Sequence, residues 1–122
     1  MTTPQPNQVV HLELHTRDLP EARAFYAELL HWRPEQIDTE NGSYLALELA
    51  GGVGGGFVEC GTPRSLWLPY VGVADIGHAT AQATELGAEV LLEPREGPAG
   101  WRSIVTAGAG GEVAFWQPRE CA

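Results

Sequence analysis

Cysteine, methionine, cations and long apolar runs are all scarce in this chain of 122 residues, which has 2 Cys, 1 Met and 7 Lys plus Arg. Each shortage excludes a class of protein. Cys60 and Cys121 make neither a disulfide framework nor a CxxC motif, and they read as free thiols of a cytoplasmic protein. No uninterrupted run of about 18 apolar residues is present, so no segment is expected to span a bilayer. The opening MTTPQPNQ lacks the charged leader and apolar stretch of a secretory signal. Acids number 16 against the 7 cations, for a formal charge of −9, and no basic patch stands out. Nucleic acid and anionic membrane surfaces both need clustered Lys and Arg, so neither is expected as a partner.

What is present is a globular balance, 43% apolar and 19% charged, over a length that suits one domain with a modest core. VVHLELHT alternates as a β-strand does. Successive side chains of a strand point to opposite faces, so His11, Glu13 and His15 share one face and Leu12 and Leu14 the other. RDLPEARAFYAELLHW follows helical spacing, with Asp18 as N-cap and Pro20 and Glu21 in the first turn. Strands are expected near Glu35–Thr39, in SYLALELAG and in GGFVEC, with a turn at NGS (41–43) and a linker at GTPRS (61–65). Then the pattern restarts. LWLPYVGV reads as a strand, ADIGHATAQATELG as a helix with Asp75 as N-cap and Gly87 as its stop, and AEVLLEP, WRSIVTA and EVAFWQP as strands.

Shifting the chain on itself by 57 residues aligns Asp18 with Asp75, Ala22 with Ala79, Ala24 with Ala81, Glu28 with Glu85 and Leu29 with Leu86. The same β-α-β-β-β order therefore occurs twice, which points to an internal duplication. The expected fold class is α+β: tandem βαβββ modules, residues 8–61 and 66–119, within one domain spanning 1–122.

VVHLELHTRDLPEARAFYAELL, LGAEVLLEP and GWRSIVTAGAGGEVAFWQP resemble the vicinal oxygen chelate superfamily, which includes glyoxalases, extradiol dioxygenases and bleomycin-resistance proteins. The resemblance runs from Val9 to Pro118. It implies that the two sheets form a cup with the helices outside, and that the HLELH face lines that cup. It also implies a metal position fed by the first and closing strands of each module. His11 falls on the first of these positions. The 57-residue offset puts Leu68 on the second, while the closing WQP puts Ala114 on the last and Phe57 on its counterpart. Leu, Ala and Phe carry no donor, and a catalytic metal site needs three or more protein ligands. Even with Glu48 or Glu59 enlisted, the second module would supply none. No metal or other cofactor is expected, His11 being the one matching ligand position.

The same offset sets Glu13 opposite Tyr70 and His15 opposite Gly72. Imidazole titrates near neutral pH and a half-buried Glu beside it is expected to have a raised pKa, so Glu13 and His15 are the candidate acid–base pair. The candidate ligand-binding residues are His11, Glu13, His15, Phe57, Tyr70, Trp101 and Ala114, with Trp101 favoured because it follows the Gly-Pro-Ala-Gly loop. GGVGGG (51–56) lacks the Lys-Ser/Thr of a phosphate loop and reads as a place where strands bend or pack closely. His31 and His78 read as surface residues on the helices.

Two function classes follow. One is a glyoxalase/bleomycin-resistance-like protein that binds a small, partly aromatic or apolar molecule in a metal-free cavity. The alternative is a lyase or isomerase that uses Glu13 with His11 or His15, with a divalent metal at His11 belonging to that reading. Whether the chain is an enzyme stays open at this point. A homodimer is expected, because relatives of this size cover sheet edges by pairing chains, and replacing Glu13 by Gln is expected to cost little stability.

Overall fold

The computed structural model describes residues 7–40, 42–49, 53–60, 65–97 and 100–119. The turn at 41, the linker at 61–64, the Pro-Ala of the loop before Trp101 and Cys121 lie outside the described residues. The elements run β1 (Val9–Thr16), α1 (Leu19–Leu30), β2 (Glu35–Thr39), β3 (Gly42–Glu48), β4 (Gly54–Glu59), β5 (Leu66–Gly72), α2 (Ile76–Glu85), β6 (Glu89–Glu96), β7 (Gly100–Thr106) and β8 (Glu112–Pro118). The repeated βαβββ order is there.

Both helices start by the same device. Asp18 Oδ1 accepts from the Glu21 amide at 3.1 Å, and Asp75 Oδ1 accepts from the His78 amide at 3.0 Å. Each first-turn amide is then met by the last strand of its own module. The Leu19 amide donates to Glu59 Oε2 and the Ile76 amide to Gln117 Oε1, both at 2.8 Å. These orphan donors have no partner inside the helix, so the side chains satisfy them. Helix α1 ends on His31 in the left-handed region at φ 61°, and Gly87 at φ 98° follows α2.

All eight strands form one sheet in the order β2-β3-β4-β1-β5-β8-β7-β6. The modules join edge to edge where β1 runs antiparallel to β5, while β1–β4 and β5–β8 are parallel. The backbone pairs are His11 with Tyr70 and Glu13 with Leu68, and His15 pairs with Leu66 rather than Gly72. An offset of 57 converts His11 to Leu68 and Glu13 to Tyr70, so the two pairs are images of each other under a local two-fold axis.

One expected register changes. Glu13 pairs with Gly56 and Tyr70 with Ala114, so the closing strands are related by 58 residues (114 − 56), not 57. A slip of one residue moves a side chain to the other face of a strand. Phe57 is therefore the counterpart of Phe115, and Gly56 that of Ala114.

The parity of β1 separates two layers. Leu14 joins Leu45, Leu47 and Phe57 on the helix side, with Tyr26, Trp32 and Trp67 packed against them. Trp67 Nε1 donates to Tyr26 Oη at 3.0 Å, which pays the polar cost of burying that indole. Under α2, Thr80 Oγ1 donates to the Ile76 carbonyl at 2.7 Å and lies 2.8 Å from the Ser103 hydroxyl. On the opposite side Leu68, Tyr70 and Ala114 form a second cluster with Ile104 and Trp116.

Candidate functional site

The concave side of the sheet holds a cavity of about 500 Å³. Tyr44 and Val58 from the first module and Trp116 from the second supply apolar wall. His11, Glu13, Tyr70 and Arg102 form its polar end. The parity of four adjacent strands brings these together: His11 and Glu13 on β1, Tyr70 beside them on β5, and Arg102 on β7, where it pairs with Trp116 of β8.

The β4 glycines clear the space in front of β1. A Cβ on Gly56 would lie 2.7 Å from the Leu45 carbonyl oxygen, and one on Gly54 would lie 3.1 Å from His11 Nδ1. The glycine run thus serves close packing, and its absence of side chains leaves room for the His11 ring.

Glu13 is the hub. Its Oε1 accepts from Tyr70 Oη at 2.6 Å and from His15 Nε2 at 2.9 Å, and its Oε2 accepts from His11 Nε2 at 3.2 Å. A carboxylate only accepts, so both imidazoles carry their proton on Nε2. Arg102 Nη1 donates to Tyr70 Oη at 3.2 Å and stands 3.7 Å from Glu13 Oε1. The His11 and Tyr70 rings meet edge to face with centroids 5.2 Å apart.

These contacts set the protonation states. Burial would push the Glu13 carboxyl up, but the hydrogen bonds from His11, His15 and Tyr70 outweigh it and hold the group well below the usual carboxylate range. The expectation of a raised pKa is thus corrected, because three donors stabilise the ionised form. Burial pushes the Tyr70 phenol up, and the Glu13 charge and hydrogen bond push it further, so Tyr70 stays protonated. The Arg102 guanidinium is held protonated too: burial opposes its charge, but Tyr70 and Glu13 favour it.

The candidate residues divide accordingly. His11, Glu13 and Tyr70 line the cavity. His15 is 8% exposed and lies behind Glu13 rather than at the cavity wall. Ala114 is fully buried beneath the cavity, in the Leu68–Tyr70 cluster. Phe57 is 1% exposed in the helix-side core, where the one-residue register shift puts it, so it does not face the cavity. Trp101 is also on the other face. It alternates with Arg102 on β7 and is 38% exposed, so Arg102 occupies the place expected for it. Arg102 was not singled out by the sequence pattern.

With the register corrected, the four positions of the superfamily's metal site are His11, Gly56, Leu68 and Ala114. Only His11 carries a donor, and its Nε2 is engaged by Glu13. Among the described residues no group of three or more His, Cys, Asp or Glu is arranged to hold a metal ion. These residues do not fit a divalent ion at that position.

Paired βαβββ units curling one sheet around a cavity define the vicinal oxygen chelate fold. The family profile described as the glyoxalase-like domain matches residues 9–116, and the chain belongs to that family. A comparison with proteins of curated function gives no match. Among solved structures, hypothetical protein BH1468 from Bacillus halodurans C-125 is similar at TM-score 0.67 and 17% identity, over 97% of this chain and 99% of that one. Methylmalonyl-CoA epimerase from Mycobacterium tuberculosis is similar at TM-score 0.63 and 13% identity, over 98% and 94%. A Streptomyces coelicolor methylmalonyl-CoA epimerase in complex with 2-nitronate-propionyl-CoA is similar at TM-score 0.59 and 16% identity, over 95% and 100%. At these identities the likeness is one of fold.

Proposed function

We propose that this chain is a single glyoxalase-like domain of two modules, residues 8–61 and 66–119, which binds a small, partly aromatic or apolar molecule in its cavity without a metal ion. The observation that carries this reading is the closure of the polar end. Glu13 accepts three hydrogen bonds from the chain itself, so it is a fixed anchor rather than a group waiting for a proton. Apolar walls with a few convergent polar groups are the usual form of a small-molecule site. The S. coelicolor neighbour with its bound acyl-CoA analogue is consistent with a small-molecule role for such a cavity. The test is a thermal-shift screen of small aromatic compounds on chelator-treated protein. Saturable stabilisation that is lost in Trp116→Ala supports the reading, and a screen with no stabilising compound contradicts it.

One observation favours acid–base chemistry as a second reading. Glu13 holds a proton of His11 on Nε2, which leaves Nδ1 beside Gly54, and both residues line the cavity. In that reading His11 is the base and Glu13 positions it. Turnover abolished by His11→Ala but retained in His15→Asn would favour it.

A cytoplasmic homodimer belongs to the same proposal. On α1, Phe25 and Leu29 are 54% and 59% exposed, an apolar strip that a second chain would cover.

A further inference from the structure

Resting on the cavity reading above, we propose that the ligand is a small carboxylate, its oxygens seated on the guanidinium of Arg102 and its planar body held between Tyr44 and Trp116.

The argument begins with unused donors. Guanidinium presents five N–H groups in a planar fork that matches a carboxylate. Among the described residues, Arg102 makes one hydrogen bond, from Nη1 to Tyr70 Oη at 3.2 Å. Its nearest carboxylate oxygen, on Glu13, is 3.7 Å away, beyond hydrogen-bond reach, and already accepts from Tyr70 and His15. Glu13 therefore balances the charge of Arg102 without occupying its fork.

The setting narrows the ligand further. The 7 Lys and Arg positions of the chain are all Arg, and among the described residues Arg102 is the one Arg that lines the cavity. The Arg102 side chain is 29% exposed. A half-buried charge of this kind gains more from a paired anion than a surface one does. A dianionic phosphate fits less well. The ionised Glu13 beside Arg102 repels added negative charge, and among the described residues that line the cavity only one guanidinium offsets it. A monoanion with a flat body suits both the fork and the walls, because Tyr44 and Trp116 come from opposite modules and can each cover one face of it.

The test compares 2-naphthoate with 2-naphthamide, which have nearly the same shape and differ in charge. Each is titrated calorimetrically into chelator-treated full-length protein. Naphthoate is expected to bind about tenfold tighter or better. Arg102→Gln is expected to bring the two within about threefold of each other by weakening naphthoate alone. Arg102→Lys keeps the charge but loses the fork, and reads the same question should Arg102→Gln fail to fold; an undiminished preference there would overturn the paired seat. Equal binding of naphthoate and naphthamide to the wild type would overturn the carboxylate and leave the cavity reading standing. Displacement of naphthoate by inorganic phosphate at equal concentration would overturn the choice of anion. Binding of neither compound would overturn the carboxylate seat, while the cavity reading answers to the thermal-shift screen above.

Discussion

Glu13 is 9% exposed and gathers its neighbours' donors, so its replacement tests the residue-level account. Glu13→Gln puts an amide N–H₂ where the carboxylate accepted and leaves one imidazole or the phenol without its partner. The expected loss is about 1–3 kcal/mol in urea unfolding, larger than the small loss expected when the residue was read as a half-solvated wall. The pH dependence follows from the direction of the shift. The folded carboxyl sits below its ordinary value of 4.5, so the unfolded chain takes up a proton that the folded chain refuses. This contribution to stability is fully present above pH 4.5 and declines as the pH falls through the folded value. In Glu13→Gln the acid limb of the stability curve should flatten, and a limb as steep as the wild type's would contradict the account. Part of this site was legible in the sequence. Strand parity alone put His11 and Glu13 on one face, because β1 keeps a continuous register with β5 from His11 to His15. Arg102 was not legible. Parity sets Trp101 and Arg102 on opposite faces of β7, but which one faces the cavity depends on the hairpin register through AGAGGE, and the place of Trp101 just after the Gly-Pro-Ala-Gly loop does not fix that face.

The two helices were readable to within a residue or two at the element scale, because Asp18 and Asp75 each announce a start that the fold uses. Glu59 and Gln117 were not seen as caps, since their roles depend on how each closing strand ends beside the first turn of its module's helix. Their equivalence gives a sharp expectation. Glu59→Gln copies the second module and should change stability by less than about 0.5 kcal/mol, whereas Glu59→Ala strips the Leu19 amide of its acceptor and should cost about 1 kcal/mol. Equal losses in thermal or urea unfolding would show that the contact contributes no more than general charge. The helices also differ in how they dock. Ile76 and Thr80 of α2 are buried, while α1 packs through half-buried Leu19, Ala22 and Tyr26 and buries none of its residues fully. The edge strands need less cover than expected. β2 is short and carries Glu35 and Asp38, and β6 carries Pro94 with Glu89, Glu93 and Glu96, all devices that discourage strand addition. The case for a partner chain therefore moves from the sheet edges to α1.

Over the whole molecule, the duplication made the eight-stranded architecture legible, because a shift of 57 residues repeats helix caps and strand order together. The relation slips to 58 in the closing strands, and that residue sends Phe57 to the core and brings Gly56 to the cup. No count of apolar residues could reveal the slip, since the length difference is absorbed in the connections. For the assembly, light scattering at micromolar protein should give twice the chain mass of 13.1 kDa, and Phe25→Glu with Leu29→Glu should return it to one. A wild-type value of 13.1 kDa would contradict the homodimer. The central claim is that the cavity works with the chain's own side chains, His11 standing among three positions without donors. It is tested most directly by elemental analysis of wild-type and His11→Ala protein purified without chelator. The account expects zinc, iron, manganese and nickel well below one per chain in both. Stoichiometric metal in the wild type that disappears in His11→Ala would contradict it.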